Sequence, residues 1–254
     1  APSGRFRLSP LVGVSWHFLE SFRFRASYKD GFRVPTFNDL YYARVGNVNL
    51  KPETASQFNL GMTFTGSYDW GSADITADAY YNFIKDKIVA VPTMFIWKMR
   101  NAGEVAMYGT DVTASILWRA CEWLKIHALA NYSLQYALDV TDPDSKNYRH
   151  QIPYTPRHCG SGNLILETKW LNLAYRMSAS GRRYSNNQNI PANEISAYAD
   201  HSISLNREFN FGSSHDFKMY VSMEVLNLAD HNYQIIHYYP MPGRSFRLTI
   251  KFKY

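Results

Sequence analysis

Residues 72–83 read SADITADAYYNF. Ala73, Ile75, Ala77, Ala79, Tyr81 and Phe83 fall on one side of an extended chain, and Asp74, Thr76, Asp78, Tyr80 and Asn82 on the other. A helix would scatter these apolar positions, because its side chains come round about every 3.6 residues, whereas a strand repeats every second residue. The same period runs through TDVTASILW, 110–118, with Val112, Ala114, Ile116 and Trp118. LKIHALANYSLQYAL, 124–138, keeps Leu124, Ile126, Ala128, Ala130, Tyr132, Leu134, Tyr136 and Leu138 on one face. At the carboxyl end, SFRLTIKFKY sets Phe246, Leu248, Ile250, Phe252 and Tyr254 against Ser245, Arg247, Thr249, Lys251 and Lys253. The fold class that follows is all-β.

Working outward, the pattern predicts strands over roughly 4–18, 21–30, 53–68, 72–90, 94–118, 122–138, 154–168, 171–183, 196–210, 215–229 and 243–254. Several are about twice the usual five or six residues. A tilted membrane-crossing strand needs about 9–11 residues, so many of these would rise above a bilayer. One set of connections is short, around 19–20, 69–71, 119–121, 169–170 and 211–214. The alternate set is long, at 31–52, 139–153, 184–195 and 230–242, with 91–93 as the brief exception. Short turns at one end and long loops at the other are the asymmetry of an outer-membrane antiparallel β-barrel, short side periplasmic. Trp16, Trp70, Trp118, Trp123 and Trp170 all lie beside the short turns, and Trp97 alone belongs to the other end. Indole rings collect where hydrocarbon meets headgroups, so the row reads as an inner aromatic girdle.

Composition narrows the alternatives. The chain has 254 residues, 46% apolar side chains, 16% aromatics and a formal charge of +6. No apolar run reaches the length of a transmembrane helix. The basic residues stand singly along alternating segments, which excludes a nucleic-acid surface as the leading reading. Cys121 and Cys159 are too few for a disulfide framework and are expected unpaired, near opposite ends of adjacent strands.

Eleven strands raise a question of parity. Bacterial single-chain barrels carry an even number, with both termini periplasmic. Counting back from a periplasmic residue 254 puts residue 1 outside, and an open sheet edge cannot stay unpaired in hydrocarbon. Residues 1–254 are therefore expected to be the carboxyl-terminal part of a larger barrel, completed by another polypeptide or by residues cleaved from this one. The Ala-Pro-Ser start reads as a cut in an outside loop.

Six local stretches carry a family resemblance: GFRVPTFNDLYY (31–42), GNVNLKPET (46–54), YNFIKDKI (81–88), RNAGEVAMYGTDV (100–112), VLNLADHNYQ (225–234) and PGRSFRLTIKFKY (242–254). In this order, at these places relative to the strands, the chain resembles the carboxyl-terminal half of the TonB-dependent outer-membrane receptors, which import siderophores, haem and cobalamin. The pattern is most similar to the cobalamin-receptor branch, with haem and ferric-siderophore receptors as alternatives. The resemblance implies a barrel of about 22 strands around an amino-terminal plug, of which eleven strands are half. It further implies an integral outer-membrane location in a Gram-negative bacterium and plug-gated import driven through TonB. The partners implied are the amino-terminal half with its plug, TonB through that half, membrane lipid and, in that branch, a surface lipoprotein lid. The outward residues Phe246, Leu248, Ile250, Phe252 and Tyr254 would form the signal that an outer-membrane assembly machine reads.

Ligand capture in that family uses outside loops and the upper lumen. The corresponding positions are Tyr41, Tyr42, Arg44, Asn47 and Asn49 before the third strand, and Tyr148, Arg149 and His150 in the 139–153 loop. Arg183, Tyr184, Asn186 and Asn187 open the next loop, and His231, Tyr233, His237, Tyr238 and Tyr239 fill the last. Planar rings with amide and guanidinium donors suit a corrinoid or haem as transported ligand, with no intrinsic cofactor. Arg23, Arg25, Asp74, Asp78, Asp111, Lys125, Arg247 and Lys251 are expected to line the lumen, bonding one another or bracing a plug.

Other chemistry is poorly supported. His150, His158 and Cys159 lack the further close-spaced ligands of a zinc site. DVTDPDSKN, 139–147, offers three Asp for calcium at an outside loop, without the glycine and terminal acid of an EF-hand. Glu20, Glu53, Glu104 and Asp111 are spread along the chain and make no carboxylate pair. No GxSxG is present, so a barrel protease or lipase has no triad to stand on, and the chain is not expected to be an enzyme. A passive porin half remains the second alternative.

Overall fold

The computed structural model describes residues 8–92, 96–211 and 217–253. Its strands are β1 (Leu11–Leu19), β2 (Phe22–Arg33), β3 (Glu53–Tyr68), β4 (Gly71–Pro92), β5 (Trp97–Cys121), β6 (Leu124–Asp139), β7 (His158–Thr168), β8 (Asn172–Ser180), β9 (Arg183–Tyr184), β10 (Glu194–Ile195), β11 (Tyr198–Phe211), β12 (Phe217–Leu226), β13 (Gln234–Ile236), β14 (Tyr239–Pro240) and β15 (Ser245–Lys253). Eleven of them form one antiparallel sheet in the order β1-β2-β3-β4-β5-β6-β7-β8-β11-β12-β15, each strand beside its predecessor in the wall. The small ladders β9–β10 and β13–β14 lie inside the last two long loops. A helix, α1 (Phe37–Tyr41), occupies the first. None of the described helices is long and apolar enough to cross a membrane.

The registers carry the alternation across the whole sheet. Leu60, Ala79, Thr110 and Leu134 are successive partners on one face, as are Phe64, Ile75, Ala114 and Ala130. Phe246, Leu248 and Ile250 pair with Val225, Met223 and Val221 at the far edge. On β4 the apolar row from Ala73 to Phe83 covers roughly 34 Å of strand at about 3.4 Å per residue. At a tilt of about 45° it stands roughly 24 Å tall, close to the ~25 Å apolar band of a membrane barrel. Polar groups on this face are paired. Tyr132 Oη and His158 Nδ1 lie 2.8 Å apart, Tyr175 Oη and His201 Nδ1 2.6 Å apart, and the Arg207 guanidinium sits over the Phe209 ring at 4.8 Å.

Tight turns join the strands at one end, at 20–21, 69–70, 122–123 and 169–171. Gly71 follows the second of these with φ 151°, where a Cβ would stand 1.8 Å from the Leu117 carbonyl oxygen, so only glycine fits. Trp16, Trp70, Trp118, Trp123 and Trp170 gather at this end and all are exposed. Trp70 stacks on Tyr68, and Trp123 packs 5.7 Å from Trp170.

Several strand limits differ from the alternation. The seventh strand begins at His158 rather than 154, because Pro153 and Pro156 lack the N–H a ladder needs and Tyr154 takes φ 56°. β12 stops at Leu226 rather than 229, since Asn227 adopts φ 48° and turns the chain out of the sheet. β8 ends at Ser180, three residues short of 183, and β1 begins at Leu11. Val91 and Pro92, read as part of the connection 91–93, continue β4, whereas residues 4–7, 93–95, 212–216 and 254 of the expected strands and connections lie outside the described residues. Cys121 and Cys159 are free, on β5 and β7, which are separated by β6 rather than adjacent.

Candidate functional site

The polar face forms a wall whose side chains are tied across strands. Arg25 on β2 donates to Asp78 on β4 at 2.9 Å, passing over Gly61 on the strand between. A Cβ at Gly61 would lie 2.0 Å from Asp78 Oδ1, so the missing side chain is the window that lets the pair meet. Asp78 faces Asp111 directly, and Ser133 Oγ donates to Asp111 at 2.6 Å. Farther round, Glu224 bridges two arginines, Arg176 at 3.3 Å and Arg247 at 3.2 Å. Asn131, Ser161, Asn163, Arg176, Asp200 and Ser202 line a recess of about 360 Å³ in this wall. A water-filled or protein-packed interior tolerates such charges, whereas each would cost about 2–4 kcal/mol at the lipid midplane.

Long loops stand at the other end of the wall. In loop 34–52, Thr36 Oγ1 accepts from the Asp39 N–H, and Asp39 Oδ2 accepts from the Thr36 N–H at 2.9 Å, a capping box that starts α1. Asp39 is buried, and the Thr36 amide, with help from Arg33 at 3.4 Å, holds its carboxyl below the usual carboxylate range. Asn47 Nδ2 donates to the Met99 carbonyl at 3.1 Å, and Asn47 Oδ1 accepts from the Asn49 N–H, so both asparagines frame the loop. Arg44 sits at φ 65° in the turn that follows α1. Tyr41 and Tyr42 are exposed above it.

The three later loops are joined to one another. His150 Nδ1 donates to the Asn187 carbonyl at 2.9 Å, and Asn187 Nδ2 donates to Asp139 at 2.9 Å, linking loop 140–157 to loop 181–197. Arg149, at φ 59°, bonds the Asp139 carbonyl through its N–H, and Tyr148 is exposed beside it. The Tyr154 N–H donates to the Tyr184 carbonyl. Arg183, 3% exposed, donates through Nη2 to the carbonyls of Gln234 at 2.6 Å and Ile235 at 3.0 Å, clamping loop 227–244. Its guanidinium lies over the Tyr198 ring at 5.5 Å. Tyr198 stacks on Tyr233, centroids 4.3 Å apart and planes 17° apart. Tyr233 Oη donates to Asp200 at 2.9 Å, so the last loop reaches down to a residue of the polar face. Burial first, and then that hydrogen bond and the Asp200 charge, push the Tyr233 phenol up to about 12.

These contacts build a recess of about 280 Å³ lined by Glu194, Ser196, His231, Asn232, Tyr233 and His237, among others. His231, Tyr233 and His237, three residues named from the sequence, line it together, whereas Tyr238 and Tyr239 point to solvent, 80% and 69% exposed. Tyr41, Tyr42 and Arg44 lie in a different loop and line none of it. The alternation gave no role to Asn227, Asp200 or Glu194. Buried Asn227 donates to the carbonyls of His231 at 2.9 Å and Pro242 at 3.1 Å and accepts from the His231 N–H, fixing the last loop from its base. An asparagine closing an apolar strand before a polar loop was the available signal.

His158 and Cys159 alternate to opposite faces of β7, and His150 is engaged with Asn187. The loop aspartates serve turns: Asp142 Oδ1 accepts from the Asp144 N–H, and Asp139 from Thr141 and Asn187. Among the described residues no three His, Cys, Asp or Glu side chains are grouped as metal ligands.

A family model described as TonB dependent receptor-like, beta-barrel, matches residues 2–228. The vitamin B12 transporter BtuB of Vibrio vulnificus is 37% identical over 93 residues, 36% of this chain and 14% of that protein. BtuB of Vibrio cholerae O395 is 21% identical over 247 residues, 96% of this chain and 36% of that protein. Among solved structures, the copper transporter OprC superposes with a TM-score of 0.73 at 16% identity, over 97% of this chain and 39% of that one. The chain thus spans well under half the length of the proteins it matches, and the structural likeness speaks for the fold.

Proposed function

The chain belongs to the TonB-dependent receptor-like β-barrel family, and from that premise we propose that it is the carboxyl-terminal barrel portion of an outer-membrane active transporter. Its cargo would be a large scarce chelate, a corrinoid in the first place. Haem or a ferric siderophore is the alternative within the same family. The observation that carries the reading is the polar wall roofed at one end by interlocked loops. A passive pore needs no such roof, since its solutes pass through an open lumen. The apolar face would meet lipid and the Trp row the inner headgroups. The wall would bind and release by noncovalent contacts alone, with no enzymatic step.

The sheet's edges define what must complete it. β1 and β15 both run from the loop end to the turn end and are not paired with each other. A second copy inserted the same way would meet either edge in parallel, which is foreign to barrels of this kind. The completing set must begin and end on strands running from turn end to loop end, so its number is odd. An amino-terminal part with a plug and about eleven strands satisfies this, on the same polypeptide or another. TonB would act through that part, and a surface lipoprotein could cover the loops. Phe246, Leu248, Ile250 and Phe252, exposed in a row on β15, would serve with Tyr254 as the assembly signal.

Native mass spectrometry of the receptor purified in detergent from outer membranes tests this reading. A species carrying the barrel portion, a plug and a co-released corrin is the expected result. A co-released haem or siderophore would replace the cargo. A stable 29.3 kDa chain alone, free of ligand, would overturn the transporter.

A further inference from the structure

Tyr28, Phe58, Tyr81, Tyr108 and Tyr136 are successive cross-strand partners from β2 to β6, so five aromatic rings follow one another across the apolar face. Four strand spacings of about 4.8 Å make this row roughly 19 Å wide. Tyr28 and Phe58 lie 4.7 Å apart, and Tyr108 stacks on Tyr136 at 5.1 Å with planes 16° apart. Tyr108 and Trp118 are ten residues apart on β5, about 24 Å of height at a tilt of about 45°. The Trp row marks the inner edge of the apolar band, so the tyrosines stand at its outer edge. At the loop ends of β7, β8 and β11 the partners on this face are Gly160, Ala179 and Ala199, so the rings form a local shelf rather than a belt. Two cations border the shelf on the loop side. The exposed Arg157 guanidinium lies over the Tyr136 ring at 5.2 Å and has no hydrogen-bonded or ionic side-chain partner among the described residues. Lys85 Nζ lies 5.2 Å over the Phe83 ring and 3.4 Å from Glu104, with half its side chain exposed. We propose that the shelf docks a phosphorylated glycolipid of the outer leaflet, with acyl chains on the ring row, one phosphate at Arg157 and a second at Lys85. The proposal rests on the outer-membrane reading above and adds to it a lipid partner of stated chemistry.

Charge and width select this occupant. A guanidinium resting on a ring face keeps its N–H edge free to grip an oxyanion with two parallel bonds. Lys85 is a point charge already shared with Glu104, so Arg157 carries the larger part of the attraction. Tyrosine rings suit the level where chains meet headgroups, because the ring is apolar and the hydroxyl is wet. Arg157 stands beside β7 and Lys85 on β4, three strand spacings or about 14 Å apart. A phospholipid with two chains and one phosphate would cover one end of the row and reach one cation. A disaccharide lipid with several chains and two phosphates spans the row and reaches both.

The test uses the complete receptor, purified from outer membranes, delipidated in a nonionic detergent and titrated by native mass spectrometry. The probes are bisphosphorylated lipid A, the same lipid with both phosphates removed, and phosphatidylglycerol as a diacyl anion. The bisphosphorylated lipid should bind more tightly than either of the others. Arg157→Gln should weaken it about five-fold, the worth of one cation at a charged membrane surface. Lys85→Gln should weaken it less, and Arg157→Lys should recover most of the loss. Unchanged thermal unfolding of the variants shows that the barrel is intact, and the three lipids on the wild type decide the matter if a variant does not fold. Equal binding of the dephosphorylated lipid, equal binding of phosphatidylglycerol, or unaltered affinity in a folded Arg157→Gln variant each overturn the docking surface. A receptor that imports its chelate without selecting the lipid loses the shelf and keeps the transporter. One that selects the lipid but imports none of the three chelates keeps the shelf and loses the cargo.

Discussion

The first and last outside loops, 34–52 and 227–244, are similar in length and are held by different parts of the molecule. Loop 34–52 is fastened by its own capping box and by a single wall strand, β5: Asn47 donates to the Met99 carbonyl, and Asn101 closes the loop against Lys51 through 2.8 and 2.9 Å bonds. Its aromatic residues, Tyr41 and Tyr42, are left on the surface. Loop 227–244 is fastened by two separate elements, by Arg183 from the preceding loop and by Asp200 from the wall, and it encloses a recess. A loop bound to one wall strand forms a platform. One bound to two other elements forms a pocket whose shape depends on all three.

The widest break of this comparison comes from Arg183→Ala. It removes a buried guanidinium and leaves the carbonyls of Gln234 and Ile235 without their donor. A buried carbonyl left without its donor costs about 1–3 kcal/mol. Hydrogen exchange across 227–244 should quicken on the order of 100-fold or more, with loop 34–52 unchanged. Equal acceleration in both loops would show that the roof opens as one piece and that the two modes of fastening are not distinct.

The same division decides how much could be read from the sequence. Period-two alternation is local, and a slip of one residue would turn every side chain to the wrong face, so the eleven-strand order and its faces were legible. The Trp row beside the tight turns was legible for the same reason. Thr36-Phe-Asn-Asp39 carries a capping-box spacing in plain view, but the five-residue helix it starts is too short to show a helical period among loop residues. What could not be read is pairing over distance. Nothing near Arg183 in sequence points to Gln234, and nothing near Tyr233 points to Asp200; both depend on how the loops fold over the wall. Gly61 shows the limit within a strand: its position was readable, its role as a window between Arg25 and Asp78 was not.

A smaller effect sharpens the comparison from the alkaline side. Tyr233 ionises at about 12 against an ordinary value of 10.0. A group whose folded value is raised contributes stability that is complete below the unfolded value and is lost as pH climbs through the folded one. The fastening of loop 227–244 should therefore hold at pH 9 and weaken between about 10 and 12. The difference in phenolate absorbance between the wild type and Tyr233→Phe should show a midpoint near 12. Asp200→Asn should lower it only partway, because burial is the larger cause. A midpoint near 10 in the wild type would mean that Tyr233 is not held against Asp200.

The smallest effect is expected in the first loop, and it has the opposite sign in pH. Asp39 is held below its ordinary value of 3.8, chiefly by the Thr36 amide. A depressed carboxyl contributes stability that is complete above the unfolded value and is lost as pH falls through the folded one. Exchange in loop 34–52 should thus gain an acid-dependent component below pH 3.8 that Asp39→Asn abolishes. Thr36→Ala removes only the hydroxyl half of the capping box, leaving the Thr36 N–H on Asp39, so it should cost about 1 kcal/mol. A cap lost this way opens one helical turn and leaves Asn47 and Asn101 bonded, so loop 227–244 should not respond. If Thr36→Ala loosened the last loop as well, the platform and the pocket would be mechanically one, and the long-range clamp at Arg183 would have to be read as part of a continuous roof.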